Sequence, residues 1–319
     1  MRCATITGSD GPASIVLAER PEPTPGPGEV VVRPSVVALN YRDLLVATGQ
    51  YGAIPNGRIP ASDMVGRRAD GARVVAAFMP GWMAGDLTPA GAKSALGGAV
   101  DGVLAEAIAL PAAALVPVPD TIDDATAATL PCAGVTAWQA LEGVGPADTV
   151  LTIGSDGVST WTILLARAAG ARVLAVSRDP VRRRRLEALG AEVLDGLGSW
   201  DKEVYRLTGE RGVDRVVELG GPATLAQSIR AVRMAGTISL IGTITGNEGV
   251  IPTANLLRKG VRLQGIMVGS KAHLEALVRA VARHRLQAVI DRTFPLAEAP
   301  AAFAALAAGG HVGKILVTL

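Results

Sequence analysis

The segment Val150-Leu151-Thr152-Ile153-Gly154-Ser155-Asp156-Gly157-Val158-Ser159 restricts the fold more than any other stretch of this 319-residue chain. It reads as a buried strand, a tight turn at Gly154, and the first turn of a helix. Such a junction aims free backbone N–H groups and a helix N-terminus at one point, which favours a bound pyrophosphate. The usual spacing there is G-x-G-x-x-G. Here Gly154 holds the first place, Asp156 the second and Ser159 the third. A carboxylate stands where phosphates need bare backbone. At about 5 Å and an effective dielectric of ~20, one such charge pair costs ~3 kcal/mol, on the order of 100-fold in affinity. Either Asp156 turns outward to pair with an arginine and nucleotide binding survives, or it caps the helix and takes the place of a phosphate.

The surrounding texture extends the reading. From Pro117-Val118-Pro119-Asp120 onward, strands alternate with helices. Strands are expected at 150–153, 172–177, 213–219, 237–241 and 262–268. Helices are expected at 159–169, 179–189, 223–234 and 273–284. Repeated βα units of this length imply a doubly wound parallel sheet. Residues 1–117 instead hold short apolar runs, such as Glu29-Val30-Val31-Val32-Arg33, broken by Gly and Pro, and read as an antiparallel β-barrel or similar β domain. The terminal run Gly313-Lys314-Ile315-Leu316-Val317-Thr318-Leu319 reads as a strand returning to that domain.

Composition excludes several classes of function. Net charge is +2 and aromatics are 3%, too little for a nucleic-acid surface. Two cysteines, Cys3 and Cys132, make neither a disulfide framework nor a cysteine-rich zinc lobe. No apolar run spans a bilayer, and the N-terminal residues carry no secretory apolar region, so a reducing cytoplasm is the expected setting.

Three features point to a dinucleotide. The first is the turn itself, with Gly154, Ser155, Asp156, Gly157 and Val158. The second lies at the end of the next strand, where NAD sites place Asp or Glu for the ribose. This chain has Ser177-Arg178, with Arg182 one helical turn later. A hydroxyl and two guanidiniums suit a 2′-phosphate, so NADP(H) is expected over NAD(H). Arg182 to Arg185 also crowd the start of a helix, against its dipole, by a few tenths to ~1 kcal/mol each. A bound anion explains that placement; a solvated basic face, with Arg183–Arg185 holding Glu187 and other acids, is one alternative, and Asp179 as the ribose acid is another. The third feature is the pair of glycine-bearing strand ends at Gly220 and Gly242.

The chain resembles the zinc-independent medium-chain dehydrogenase/reductases, the group of quinone oxidoreductases and enoyl reductases. The resemblance is carried by Asn40-Tyr41-Arg42-Asp43, by Leu96-Gly97-Gly98 with Asp101-Gly102-Val103-Leu104-Ala105-Glu106, and by Leu130-Pro131-Cys132-Ala133-Gly134-Val135-Thr136-Ala137-Trp138. Ala188-Leu189-Gly190-Ala191 and Gly310-His311-Val312-Gly313-Lys314 agree. It implies a GroES-like catalytic domain from 1–117 and 291–319 around a Rossmann domain at 118–290, with the active-site cleft between them. It also implies a homodimer through the sheet edge near Arg262–Val268, and Thr136 near the nicotinamide.

The zinc-dependent branch uses Cys, then Gly-His-Glu, then a second Cys. Here those positions read Asn40, Ala61-Ser62-Asp63 and Cys132. One thiol with Ser and Asn falls short of the three ligands catalytic zinc needs, even with Asp63 counted. The histidines His273, His284 and His311 lack ligand spacing, so no metal is expected. The resemblance makes Tyr51, in Gly49-Gln50-Tyr51-Gly52, the candidate proton donor to an enolate, although the Pro that usually follows is missing. Packing is the alternative for Tyr51. Asn40 is a candidate donor to a carbonyl and Arg42 a candidate enolate stabiliser, unless Asn40 orders its own loop and Arg42 pairs with Asp43. The segment Phe78–Ala84 either walls an apolar pocket or packs inside. The function expected is NADPH-dependent reduction of an activated C=C bond or quinone in a small apolar substrate with a conjugated carbonyl. The alternatives are a non-redox cyclase or lyase on the same fold, or a cofactor-binding regulatory protein.

Overall fold

A computed structural model describes residues 1–52 and 54–319. Two compact units form, Met1–Val135 with Val268–Leu319, and Thr136–Met267. Residues 118–135 and 268–290 thus belong with the first unit, whereas the βα texture assigned them to the second. Their hydrogen bonds give the reason. Lys271 and Ala272 N–H donate to the Trp82 and Met83 carbonyls at 2.9 Å, and Ala288 N–H to Thr126 Oγ1 at 3.1 Å.

The first unit is built on a seven-stranded sheet. Its order is Ile290–Pro295, Lys314–Thr318, Glu29–Ala38, Asp63–Arg68, Arg73–Ala76 and Leu115–Pro117, with Ile108–Pro111 also paired to Glu29–Ala38. All these pairings are antiparallel except that of Ile290–Pro295 with Lys314–Thr318. A separate hairpin joins Arg2–Ile6 to Ile15–Glu19. The last strand does return, pairing Leu316 with Ala38. Its core includes Val37, Met64, Leu104, Phe303 and Ile315. Each such large apolar side chain contributes about 1.5–3 kcal/mol on burial.

The second unit holds a six-stranded sheet, parallel throughout, in the order Glu192–Asp195, Arg172–Ser177, Thr149–Ile153, Val213–Glu218, Val232–Leu240, Arg262–Gly265. This is the doubly wound order 3-2-1-4-5-6. Thr149–Ile153 is buried along its whole length, as expected of a central strand covered on both faces. The order reverses between Thr149–Ile153 and Val213–Glu218. The crevice at their C-terminal ends is where such folds hold ligands. Leu151, Leu174, Val216, Ile238 and Trp200 form the core.

One helix ends earlier than its pattern suggests. Pro222–Ala231 stops at Val232, which is extended and opens the strand Val232–Leu240. Val213 pairs with Val232 but Arg215 with Thr237, so residues 233–236 form an irregular insert, with Ala235 at φ +54°. The alternation of apolar residues does not mark such a bulge. No helix among the described residues is long and apolar enough to cross a membrane.

Candidate active site

In the first unit, a buried polar network gathers where the resemblance locates a metal. Antiparallel pairing of Ala38 with Leu316 and of Ala38 with Asp63 brings three sequence-distant segments together. Lys314 Nζ donates to Asn40 Oδ1 at 2.5 Å. Asn40 Nδ2 donates to Ser62 Oγ at 3.5 Å, and Ser62 Oγ to Asp63 Oδ1 at 2.6 Å. Asp63 Oδ2 accepts from the Cys132 backbone N–H at 3.1 Å. Asp63 is fully buried, and burial pushes its carboxyl up to about 6, although the Lys314 charge and the Ser62 hydrogen bond pull the other way. Burial, and then the Asp63 charge, also push the Cys132 thiol up, so it stays protonated.

Catalytic zinc needs three nitrogen, thiolate or carboxylate donors. Here Asn40 Oδ1 already accepts from an ammonium, both Asp63 oxygens are engaged, and the single thiol is neutral. No cluster of three or more His, Cys, Asp or Glu suited to a metal occurs among the described residues. The donor set does not fit zinc.

Glycine shapes the turn that delivers Ser62 and Asp63. Ala61 sits at φ +67°, a conformation that costs an ordinary residue about 1 kcal/mol or more. A Cβ on Gly102 would meet the Ala61 carbonyl oxygen at 2.1 Å, and one on Gly97 would meet it at 2.5 Å. The motif Leu96-Gly97-Gly98 with Asp101-Gly102 thus clamps this turn.

Arg42 is committed within the first unit. Nη1 donates to the Leu96 carbonyl at 2.6 Å and lies 3.4 Å from Asp43 Oδ1. Its guanidinium carbon lies 5.0 Å from the Tyr51 ring centroid and 4.9 Å from that of Phe78. Asp43 Oδ2 accepts the Asn40 N–H at 2.8 Å. The pairing with Asp43 is therefore present, and Arg42 braces the loop from which Asn40 projects. Tyr51 is 36% exposed above Arg42, open enough to reach a ligand. Arg58 is held by Asp101 and the Ala99 carbonyl. Phe78, Met79 and Trp82 pack inside, and only Met83 of the large residues in that segment is exposed.

In the second unit, Gly154 adopts φ +98° and its N–H donates to the Val176 carbonyl. Ser155 is buried beside it. Asp156 is the N-cap of the helix Gly157–Ala168, and its Oδ1 accepts from Ser159 N–H at 3.2 Å. The carboxylate thus takes the capping course, on a backbone donor of the first helical turn. Ser159 Oγ folds back onto the Ile153 carbonyl at 3.0 Å, replacing by a hydrogen bond the close packing that a third glycine allows. Val158 is half-buried on the first turn and Thr136 is buried at the start of the unit.

Ser177 is buried at its strand end and Arg178 is exposed. Asp179 caps the helix Pro180–Ala188, accepting from Val181 and Arg182 N–H at 2.8 and 2.9 Å. These bonds hold its carboxyl below the usual range. Arg183 pairs with Asp195 at 2.9 Å. Arg182 Nε is buried without a protein partner. A buried guanidinium N–H without a protein partner is a donor left for an anion.

Glu218 is a residue that sequence reasoning passed over. It is fully buried at the end of Val213–Glu218. Its Oε1 accepts from Gly220 N–H, Gly221 N–H and Thr224 Oγ1 at 2.8, 3.1 and 2.6 Å, and its Oε2 accepts from Ser228 Oγ. This carboxylate shapes the glycine turn at the crevice. Gly242 packs beside it, where a Cβ would lie 1.9 Å from the Leu219 carbonyl oxygen. The signal was an acid ending an apolar strand, since such a residue is seldom buried unless paired. Lys314, a lysine opening the apolar strand Lys314–Thr318, carried the same signal.

Comparisons with known proteins agree with this architecture. The family model "Alcohol dehydrogenase GroES-like domain" matches residues 26–120 and the family model "Zinc-binding dehydrogenase" matches residues 157–283. A zinc-type alcohol dehydrogenase-like protein of Schizosaccharomyces pombe is 33% identical over 92% of this chain and 91% of its own. A second protein of that yeast, named "Probable quinone oxidoreductase", is 27% identical over 96% and 94%. Among solved structures, a candidate alcohol dehydrogenase of Sinorhizobium meliloti 1021 is 38% identical with a TM-score of 0.92, covering 100% of this chain and 99% of that one. An NAD-dependent alcohol dehydrogenase is 31% identical with a TM-score of 0.91 over both whole chains. The mycobacterial protein Rv1454c, solved with NADPH, shares the fold at 24% identity and a TM-score of 0.84, covering 100% of both chains.

Proposed function

This chain is a member of the medium-chain dehydrogenase/reductases, and on that premise we propose that it is a zinc-free, NADPH-dependent reductase of an activated C=C bond or a quinone. Membership makes it an oxidoreductase that uses a nicotinamide dinucleotide. The observation that carries the finer reading is the Lys314–Asn40–Ser62–Asp63 network, which presents a neutral amide where the zinc branch presents a metal. Without a metal, a simple alcohol lacks a group to hold its alkoxide. A conjugated carbonyl spreads its charge as an enolate, and hydrogen-bond donors suffice to stabilise it.

Gly154, Ser155, Gly157 and Val158 would hold the dinucleotide pyrophosphate, with Gly220 and Gly242 lining the same crevice. Ser177, Arg178 and Arg182 would hold the 2′-phosphate, and Thr136 would lie near the nicotinamide. When bound, NADPH supplies hydride to the β-carbon. Asn40 Nδ2 holds the substrate oxygen, Arg42 keeps the Asn40 loop in place, and Tyr51 delivers a proton to the α-carbon. The substrate is a small apolar molecule with a conjugated carbonyl. The working unit is a cytoplasmic homodimer, paired through the edge strand Arg262–Gly265.

NADPH titration, followed by enone-dependent loss of NADPH absorbance with and without chelator, tests the reading. Saturable binding and chelator-insensitive turnover support it. Failure to bind below about a millimolar overturns it and favours a non-redox cyclase or lyase, the reading that the Asp156 cap supports.

A further inference from the structure

Lys314 carries no step of the reduction just described, yet it is buried to 4% exposure and donates to the candidate substrate-binding amide. We propose that Lys314 is a positioning residue that fixes which end of the Asn40 amide meets the substrate. The inference rests on the reductase reading and deepens it.

An asparagine side chain has an acceptor end and a donor end of nearly the same shape. A free Asn40 amide could turn either end toward a carbonyl, and only the Nδ2 end attracts it. An ammonium has three donors and no acceptor, so it can engage only Oδ1. The Lys314 contact at 2.5 Å therefore decides the flip and leaves Nδ2 as the donor end of the amide, on the side of Ser62. In the resting structure the Nδ2 end faces Ser62 Oγ and the Asp63 carboxyl, and on this proposal one of its hydrogens turns to the substrate oxygen. The cation also draws electron density toward Oδ1, which makes the remaining N–H a stronger donor as an enolate forms.

Asp43 and Asp63 are both fully buried carboxyls, and the Lys314 charge acts on each of them. The strand register enforces the contact. Lys314 and Asn40 each lie two residues beyond the Leu316–Ala38 pair, and Leu39 N–H donates to the Ile315 carbonyl between them.

A double-mutant cycle with Lys314→Met and Asn40→Ala, read in kcat and KM for an enone, tests the proposal. Asn40→Ala lowers kcat by roughly 100-fold, the scale of a lost oxyanion donor. Lys314→Met alone lowers kcat about tenfold with the NADPH Kd unchanged, and in the Asn40→Ala background it lowers kcat by less than about twofold. Equal losses in both backgrounds would overturn the proposal. Lys314→Arg, which keeps a donor to Oδ1, recovers most of kcat; no recovery counts against it.

Lys314→Met also strips a cation from buried Asp63, so an independent measurement is needed in case it fails to fold. The Asn40 side-chain NH2 resonances, assigned by their loss in Asn40→Ala, read the contact without catalysis. They shift between wild type and Lys314→Arg if Lys314 engages Oδ1; unchanged resonances overturn the proposal. Asn40→Asp keeps an oxygen for Lys314 and removes the donor, so it retains the fold and loses kcat as Asn40→Ala does. Wild-type activity there would overturn the assignment. If wild type itself reduces no enone, the reductase reading fails, while the NH2 resonances still decide the Lys314–Asn40 contact.

Discussion

Asp156→Asn isolates the charge that stands at the nucleotide seat. The carboxylate caps the helix Gly157–Ala168 through Ser159 N–H at 3.2 Å, so it lies within the first turn, where a pyrophosphate would bind. At about 5 Å and an effective dielectric of ~20, a unit charge on each partner costs ~3 kcal/mol. Asn caps a helix as well as Asp does, so the variant keeps the bond to Ser159. It loses only the favourable interaction of a negative charge with the helix dipole, ~0.3–1 kcal/mol. Stability therefore changes little while the repulsion disappears. NADPH fluorescence titration should show Kd tightening by 10- to 100-fold at low salt, and by less as added salt screens the residual field. Asp156→Gly should tighten binding as well, since it bares the backbone. An Asp156→Asn protein with an intact thermal transition and a Kd within twofold of wild type would refute the electrostatic argument.

Three further outcomes follow from buried groups. Arg182→Met should weaken NADPH by about tenfold or more and leave NADH within twofold, because a charge-assisted hydrogen bond contributes ~1.5–3 kcal/mol only when the 2′-phosphate is present; equal losses for both nucleotides refute the assignment. Asp63 is raised to about 6 when folded, so its burial weighs against the fold as pH rises from near 4 through 6. Relative to Asp63→Asn, wild type should lose roughly 3 kcal/mol across that window in denaturant titrations, and parallel pH profiles would contradict this. Glu218→Ala leaves the Gly220 and Gly221 N–H groups without their acceptor and should destabilise the protein by roughly 3–5 kcal/mol in chemical denaturation; a loss below about 1 kcal/mol would refute its structural role.

Much of this architecture was legible without coordinates. The strands 150–153 and 172–177 match Thr149–Ile153 and Arg172–Ser177 within a residue, because apolar runs flanked by Gly154 and by Asp179-Pro180 have few other ways to fold. The expected edge strand near Arg262 is the edge strand observed. The unit boundaries were not legible. Lys271–His284 carries the pattern of a crossover helix, and only its hydrogen bonds to Trp82 and Met83 assign it to the first unit. Asn40 and Asp63 were visible as replacements for metal ligands, but the group that engages Asn40 was not. The pairing of Arg42 with Asp43, one of two readings the sequence left open, is present through Nη1, which also meets the Leu96 carbonyl, while Nε and Nη2 have no protein partner.

The sequence alone determined the βα alternation, the Gly154 turn and the loss of the histidine and first cysteine ligands, because these depend on local propensity and on which donors exist at all. Tertiary structure decided where the side-chain charges go. Lys314 meets Asn40 across 274 residues, and the Asp156 carboxylate turns onto its own helix rather than to an arginine. Strand register and burial set such contacts. Both are properties of chain segments brought together by folding, where an unpaired charge is too costly to leave alone.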